Sequence, residues 1–156
     1  MSFDSYCMVS AKAFKPVPDA DGFCMKGHET ILVVDDEAVV IEVTQEILET
    51  LGYRVLTAWS GTEAIAVYRS RKEEVDLVIL DMILSGLGGS ETFDRLKSID
   101  PHVKVILSTG YSLMGQAKLI MARGCNGFIQ KPFRIQELSQ KVREVLGQNN
   151  VQEGFS

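Results

Sequence analysis

Short runs of β-branched and other apolar residues alternate, from residue 30 onward, with amphipathic stretches of ten or more residues. This alternation is typical of repeated strand-helix units, which form a parallel sheet with helices on both faces. Five such units predict strands at residues 31–34, 54–58, 75–80, 103–109 and 127–130. The third and fourth runs are almost entirely apolar, so we expect those strands at the centre of the sheet. The predicted fold class is α/β, a doubly wound, five-stranded parallel sheet.

The helices between these strands carry recognisable end signals. Gly52 is placed to end the first helix, because glycine tolerates the left-handed conformation found there. Ser60 and Glu63 predict a reciprocal cap at the start of the second helix. Later helices are predicted at residues 90–98, 113–123 and 135–146.

The length of 156 residues, with 46% hydrophobic and 24% charged residues, is enough for one domain with its own core. We expect a tail or linker at residues 1–28, a domain at 29–148 and a C-terminal tail at 149–156. The net charge of -5 and the lack of a basic stripe argue against direct binding to nucleic acid or to an anionic membrane. No apolar stretch is long enough to cross a bilayer. The three cysteines form neither a disulfide framework nor a zinc motif, so we expect a cytoplasmic location.

Polar residues that can carry chemistry lie at the carboxyl ends of the predicted strands. Asp35 and Asp36 follow the first strand, Asp81 follows the third, Thr109 closes the fourth and Lys131 follows the fifth. Ligands of doubly wound sheets bind at this edge. If strands one and three are neighbours, three carboxylates converge there, and their mutual repulsion favours a bound divalent cation. Mg²⁺ suits a site with only oxygen ligands.

Four motifs then carry a family resemblance: Asp35-Asp36, Asp81, Thr109-Gly110 and Lys131-Pro132-Phe133. In this order and spacing they resemble the receiver domain of two-component response regulators, over residues 29–148. The resemblance implies a flavodoxin-like fold with strand order 2-1-3-4-5. It also implies a phosphoprotein that accepts a phosphoryl group from a phosphohistidine in phosphorelay signal transduction, and that is not an enzyme.

The resemblance further assigns roles in the site. It implies that Asp81 is the phosphoacceptor and that Mg²⁺ is held by Asp36, Asp81 and the Ile83 main-chain carbonyl, with Asp35 acting through water. It implies that Lys131 and Thr109 contact phosphoryl oxygens and that the peptide bond after Lys131 is cis.

Two further positions concern switching and the lifetime of the phosphoryl group. The resemblance implies that Thr109 and the aromatic residue Phe128 move together as a switch. The positions that control water access in this family hold Ile83 and Tyr111. Both are bulky and neither carries a carboxylate or amide to orient water, so we predict slow autodephosphorylation.

The loop after Asp81 departs from the family pattern. Leu84 and Ser85 stand where the family usually has Met-Pro, and Gly88 replaces an aspartate. We therefore expect residues 86–89, a glycine-rich run, to form a loop that is less rigid than usual.

The resemblance implies partners as well as chemistry. A sensor histidine kinase or a phosphotransfer protein would donate the phosphoryl group. A downstream effector or a parent kinase would bind the face formed by helix four, strand five and helix five. The chain is either a stand-alone regulator or the receiver of a larger protein, with a hybrid sensor histidine kinase favoured. Homodimer formation is left open.

Other interpretations of the same residues are a phosphohydrolase and an interaction module. A haloacid-dehalogenase-like hydrolase would share the aspartyl nucleophile and the lysine, but such enzymes usually place an acid where this chain has Ile83. A degenerate receiver would bind partners without phosphorylation, which the complete acidic set disfavours. Singly, each motif has a structural explanation, such as a helix cap for Asp35 and Asp36 or an ordinary turn for Lys131.

Overall fold

The computed structural model describes residues 26–155, except for the side chains of Tyr111 and of residues 148–155. Residues 1–25, most of the predicted N-terminal tail, lie outside the described residues. Gly27 is already part of the folded domain, because its N–H donates a hydrogen bond to the Leu51 carbonyl (3.0 Å).

Five parallel strands form one sheet in the order β2-β1-β3-β4-β5. They are β1 (Thr30–Val34), β2 (Arg54–Ala58), β3 (Leu77–Asp81), β4 (Val105–Thr109) and β5 (Gly127–Gln130). This order confirms the flavodoxin-like α/β prediction. Strands β1, β3 and β4 are buried along their whole length, as continuous apolar strands at the centre of a doubly wound sheet should be.

The helices are α1 (Ala38–Thr50), α2 (Gly61–Arg71), α3 (Gly89–Ile99), α4 (Met114–Ala122) and α5 (Ile135–Phe155), with a 3-10 turn at Tyr111–Leu113 before α4. Helix α5 is longer than the predicted helix at residues 135–146 and continues into the stretch predicted as a C-terminal tail. The apolar periodicity stops at Leu146, but the polar residues that follow continue the helix. Apolar periodicity indicates where a helix packs against a core and does not by itself define where the helix ends.

Strands β3 and β4 both begin two residues later than predicted. Val75 is buried, but its N–H donates to Arg71 at the end of α2, outside the sheet. Val103 is likewise buried, and its N–H donates to Asp100 in a turn. The apolar runs therefore predicted burial correctly but not strand pairing.

The two faces of the sheet bury separate sets of side chains, because successive strand residues point in opposite directions. Ile31, Ile79 and Ile106 pack with apolar residues of α1 and α5, and we call this side the α1/α5 face. Leu32, Leu107 and their equivalents pack against α2, α3 and α4 on the other side. The carboxyl ends of the five parallel strands lie together at one edge of the sheet.

The predicted end signals are confirmed, with one difference in detail. Gly52 follows α1 in the left-handed conformation with φ +100°. The Ser60 hydroxyl oxygen accepts a hydrogen bond from the Glu63 N–H (3.0 Å), which caps α2 as expected. The Glu63 carboxylate, however, accepts from the N–H of Trp59 (2.7 Å), one residue before the cap.

Candidate functional site

Three carboxylates meet at the carboxyl edge of the sheet. Asp81 is the last residue of β3, and Asp35 and Asp36 follow the neighbouring strand β1. One oxygen from each side chain lies within 4.8 Å of the others. Asp35 and Asp81 are buried and Asp36 is half-buried. The predicted convergence of the three acids is thus present.

Lys131 brings positive charge into this cluster from the edge strand. Its Nζ donates to Oδ2 of Asp35 at 2.9 Å and to Oδ1 of Asp81 at 3.1 Å. Its own N–H donates to the Thr109 carbonyl (2.8 Å), which fixes the backbone where β5 ends. The peptide bond between Lys131 and Pro132 is cis, as predicted.

The electrostatics of the site leave negative charge uncompensated. Desolvation raises the pKa of Asp81 to about 6, and the charge of Asp35 adds to this, while Lys131 and a backbone hydrogen bond from Ile83 oppose it. Burial alone would lower the pKa of Lys131, but its hydrogen bonds and charge interactions with Asp35 and Asp81 raise it overall. One ammonium therefore faces three carboxyl groups.

The donor set fits a hard divalent cation. All three side chains offer carboxylate oxygens, the ligands preferred by Mg²⁺, and no soft ligand is among them. Ser85, which the sequence analysis placed only in a loop, contacts this set directly. Its N–H (3.2 Å) and its hydroxyl (3.1 Å) both donate to Oδ2 of Asp36. The acidic cluster can thus hold a metal ion, with Asp36 oriented by Ser85.

The glycine-rich loop closes back onto the end of β3. Gly86 has φ +75°, a conformation that other residues rarely adopt. Gly89 opens α3 and its N–H donates to the Met82 carbonyl (3.2 Å). A Cβ on Gly89 would lie 2.6 Å from the Asp81 carbonyl oxygen and 2.7 Å from the Met82 Cα. This loop, predicted to be loosely held, is in close backbone contact with the site at Gly89.

We expect Gly89→Ala to lower the free energy of unfolding by about 2 kcal/mol or more, because the new Cβ meets backbone atoms that cannot rotate away. Gly88→Ala is the matched control, since a Cβ there has nothing within 4 Å, and its effect should stay within about 1 kcal/mol. Urea denaturation followed by circular dichroism measures both. Equal stabilities of the two variants would contradict this role of Gly89.

The remaining predicted residues are distributed around the site. Thr109 is fully buried at the end of β4, and its hydroxyl donates to the Gly110 carbonyl (3.1 Å). Ile83 is 63% exposed beside Asp81. Phe128 is half-buried and packs on the α2–α4 side of the sheet. Tyr111 lies in the 3-10 turn after β4, and its side chain is outside the described residues.

Comparison with known proteins agrees with this architecture. The family model of the response regulator receiver domain matches residues 31–143 of this chain. Sporulation initiation phosphotransferase F of Bacillus subtilis is 33% identical over 119 residues, which are 76% of this chain and 94% of that protein. The sensor kinase CckA of Brucella abortus is 32% identical over 78% of this chain but only 13% of its own length. The chain belongs to the response regulator receiver domain family.

Solved structures give the same result. A receiver domain protein from Clostridium thermocellum superposes with a TM-score of 0.76, at 32% identity, over 80% of this chain and 98% of that one. A second similar structure is the receiver domain of the sensor histidine kinase PA1611 from Pseudomonas aeruginosa, which was solved with a magnesium ion in its active site cleft. It is 26% identical to this chain and superposes with a TM-score of 0.70, and the match covers 78% of this chain and 99% of the PA1611 receiver.

The chain spans about half the length of two curated transcriptional regulatory proteins, covering 53% of YkoG from Bacillus subtilis and 51% of TcrX from Mycobacterium tuberculosis. Across residues 26–155, no helix has the length and apolar character needed to span a membrane.

Proposed function

We propose that Asp81 is the phosphoacceptor of this receiver domain and that its donor is a phosphohistidine of a sensor kinase or phosphotransfer protein. The observation that carries the proposal is the pairing of Lys131 with both Asp81 and Asp35 within the acidic cluster. A carboxylate at this position is a nucleophile with a cation already beside it.

In the proposed reaction a carboxylate oxygen of Asp81 attacks phosphorus in line with the leaving group. The P–N bond of phosphohistidine breaks, its electron pair leaves with the imidazole, and an acyl phosphate remains on Asp81. Lys131 neutralises charge on the phosphoryl oxygens. Mg²⁺, held by Asp36, Asp81 and the Ile83 carbonyl with Asp35 through water, would supply further positive charge at those oxygens. In this scheme the domain promotes its own phosphorylation.

Incubation with acetyl phosphate and Mg²⁺, followed by intact-mass analysis, tests the function. We expect one stable phosphoryl group per chain, and none when EDTA replaces Mg²⁺. Repeated turnover of phosphoesters without a stable adduct would instead indicate a hydrolase. An unmodified chain under all conditions would indicate an interaction module.

We further propose that Thr109 and Phe128 form the switch. The Thr109 hydroxyl donates a hydrogen bond to the carbonyl of the adjacent residue, Gly110, at 3.1 Å. It can exchange this local hydrogen bond for one to a phosphoryl oxygen. Phe128 is half-buried on the edge strand β5, so part of its side chain is already exposed to solvent. Phosphorylation would shift the balance between two states of the α4–β5–α5 face.

Thr109→Ala should still accept a phosphoryl group but lose the response of β5 and α4. Amide NMR shifts at Gly127 and Gln130, recorded before and after addition of beryllium fluoride with Mg²⁺, should move in the parent and remain nearly fixed in the variant. Thr44→Ala removes a buried threonine hydroxyl on α1 and should respond as the parent does. A full response in Thr109→Ala would argue against the switch.

We also propose that Ile83 lengthens the lifetime of the acyl phosphate on Asp81. Ile83, exposed beside the acceptor, would shield it from water because its side chain offers no group to orient a water molecule. We expect Ile83→Asn to shorten the lifetime about five-fold or more, as measured by intact mass after removal of acetyl phosphate. Leu119→Asn, at a similarly exposed apolar residue on α4, should leave the lifetime unchanged. An unaltered or longer lifetime in Ile83→Asn would refute the shielding role.

Receiver domains interact with kinases or phosphotransfer proteins and with effectors, and two surfaces support such binding here. An apolar groove lined by Val39, Val43 and Phe133 adjoins Lys131, which supports docking of the donor beside Asp81. A second groove, of about 440 Å³, lies between β5 and α5 and includes Phe128 and Glu137, which supports the α4–β5–α5 face as the output surface. Homodimerisation and a cytoplasmic location remain predictions.

A further inference from the structure

The hydroxyl of Ser108 stands out among the buried polar groups. Ser108 is 3% exposed. Among the buried side-chain oxygens and nitrogens of the described residues, its Oγ is the one that lacks a hydrogen-bond partner. An unpaired hydroxyl in a protein interior is costly, so such groups are rare and are often retained for function. The position of Ser108 in the sheet indicates which function.

Ser108 lies next to the acceptor on the same face of the sheet. It pairs with Asp81 of β3 on one side and with Ile129 of β5 on the other. Ile106, two residues earlier in β4, belongs to the core of the α1/α5 face, and strand alternation places Ser108 on that face too. The same alternation applies to Asp81, two residues after Ile79.

The Lys131 side chain has to cross β4 to make its contacts. Lys131 follows β5, whereas the carboxylates that it contacts belong to β3 and to the end of β1. Strand β4 lies between β5 and β3, so the lysine passes the end of β4. Lys131 lines a groove with Val39 and Val43 of α1, which places it on the α1/α5 face, the face that holds Ser108. Its ammonium has three donors, and Asp35 and Asp81 each accept one of them.

Phosphorylation changes what Lys131 can bind. Conversion of the Asp81 carboxylate to an acyl phosphate removes the charge that holds the ammonium on that side, while new charge appears on the phosphoryl oxygens. Lys131 must exchange one contact for the other without leaving the site. A hydroxyl beside its path can accept a hydrogen bond during this exchange.

We propose that Ser108 is a positioning residue for phosphoryl transfer, whose hydroxyl holds the Lys131 ammonium as its contact with Asp81 is exchanged for one with the phosphoryl group. This inference rests on the proposed role of Asp81. It predicts opposite effects on stability and on reaction, because the hydroxyl is unpaired in the resting protein and is used during transfer. A serine that only fills space would lack this combination.

The test compares Ser108→Ala with the parent in two measurements. The limiting rate of phosphoryl uptake at saturating acetyl phosphate and Mg²⁺, followed by intact mass, should fall about ten-fold or more, the equivalent of one hydrogen bond to a charged group. The urea midpoint in EDTA should equal or exceed that of the parent. Ser139→Ala is the matched control, because Ser139 is also fully buried but, among the described residues, its hydroxyl is not one of the buried side-chain atoms that lack a hydrogen-bond partner. It should lower the midpoint and leave the uptake rate unchanged.

A double-mutant cycle identifies the residue through which Ser108 acts. In a Lys131→Ala background, Ser108→Ala should cause no further loss of rate. A parental rate in Ser108→Ala, or the same fold-loss with and without Lys131, would overturn the positioning role while leaving Asp81 as acceptor. A parent chain that takes up no phosphoryl group would instead overturn the proposed function, and this inference with it.

Discussion

Replacement of Asp81 by asparagine is expected to reduce phosphoryl uptake from acetyl phosphate by at least about 100-fold, because the amide is not a competent nucleophile. Asparagine keeps the shape of the side chain, so the fold should be retained. Intact-mass analysis of parent and variant under the same Mg²⁺ concentration measures the effect.

The matched control is Asp94→Asn. Asp94 is an exposed aspartate on α3 that pairs with Arg123 at 3.1 Å, away from the acidic cluster, and its replacement makes the same chemical change. It should take up one phosphoryl group at the parental rate. Undiminished uptake by Asp81→Asn would show that another residue is the acceptor.

The second large effect is on stability as a function of pH in the absence of metal. Burial raises the folded-state pKa of Asp81 from 3.8 to about 6, so the folded protein binds this proton more tightly than the unfolded chain does. The contribution of Asp81 is therefore present at low pH and is lost as pH rises through about 6. The loss between pH 4 and pH 8 should be about 2 kcal/mol.

Urea denaturation in EDTA across this range, with parent and Asp81→Asn side by side, isolates the effect. Asparagine resembles the protonated acid, so the variant should be more stable than the parent at pH 8 and should lack this component of the pH dependence. Subtraction of the two profiles removes the contributions of the other carboxyl groups. Mg²⁺ should stabilise the parent at pH 8 more than the variant, because it binds the ionised cluster. Parallel profiles for the two proteins would refute the electrostatic description of the site.

The sequence predicted the architecture and the main site residues for a clear physical reason. A parallel sheet places the carboxyl ends of its strands at one edge, so Asp35, Asp81 and Lys131 could be assigned to that edge from the sequence, and the family resemblance supplied the strand order that brings them together. The end signals at Gly52 and Ser60 depend on neighbouring residues only, which makes them readable from local sequence.

Contacts that depend on the exact course of the backbone could not be predicted in the same way. Ser85 contacts Asp36 across 49 positions of sequence, and no periodicity signals this pair. Gly89 looked like part of a flexible run, and only the fold shows that its missing side chain lets α3 approach β3. Ser108 follows an apolar run, and its unpaired hydroxyl becomes visible only once its surroundings are known. Helix α5 continues past Leu146, where its apolar periodicity stops, so the apolar pattern alone did not give the end of the helix.

Chemical identification of the modified residue shows whether Asp81 accepts the phosphoryl group. The parent, phosphorylated with acetyl phosphate and Mg²⁺, would be reduced with borohydride, which converts an aspartyl phosphate to a stable alcohol, and then digested and sequenced by mass spectrometry. We expect the reduced side chain at position 81, with Asp35 and Asp36 unmodified. A phosphoryl group mapped to a histidine, a serine or any other carboxylate would contradict this role of Asp81.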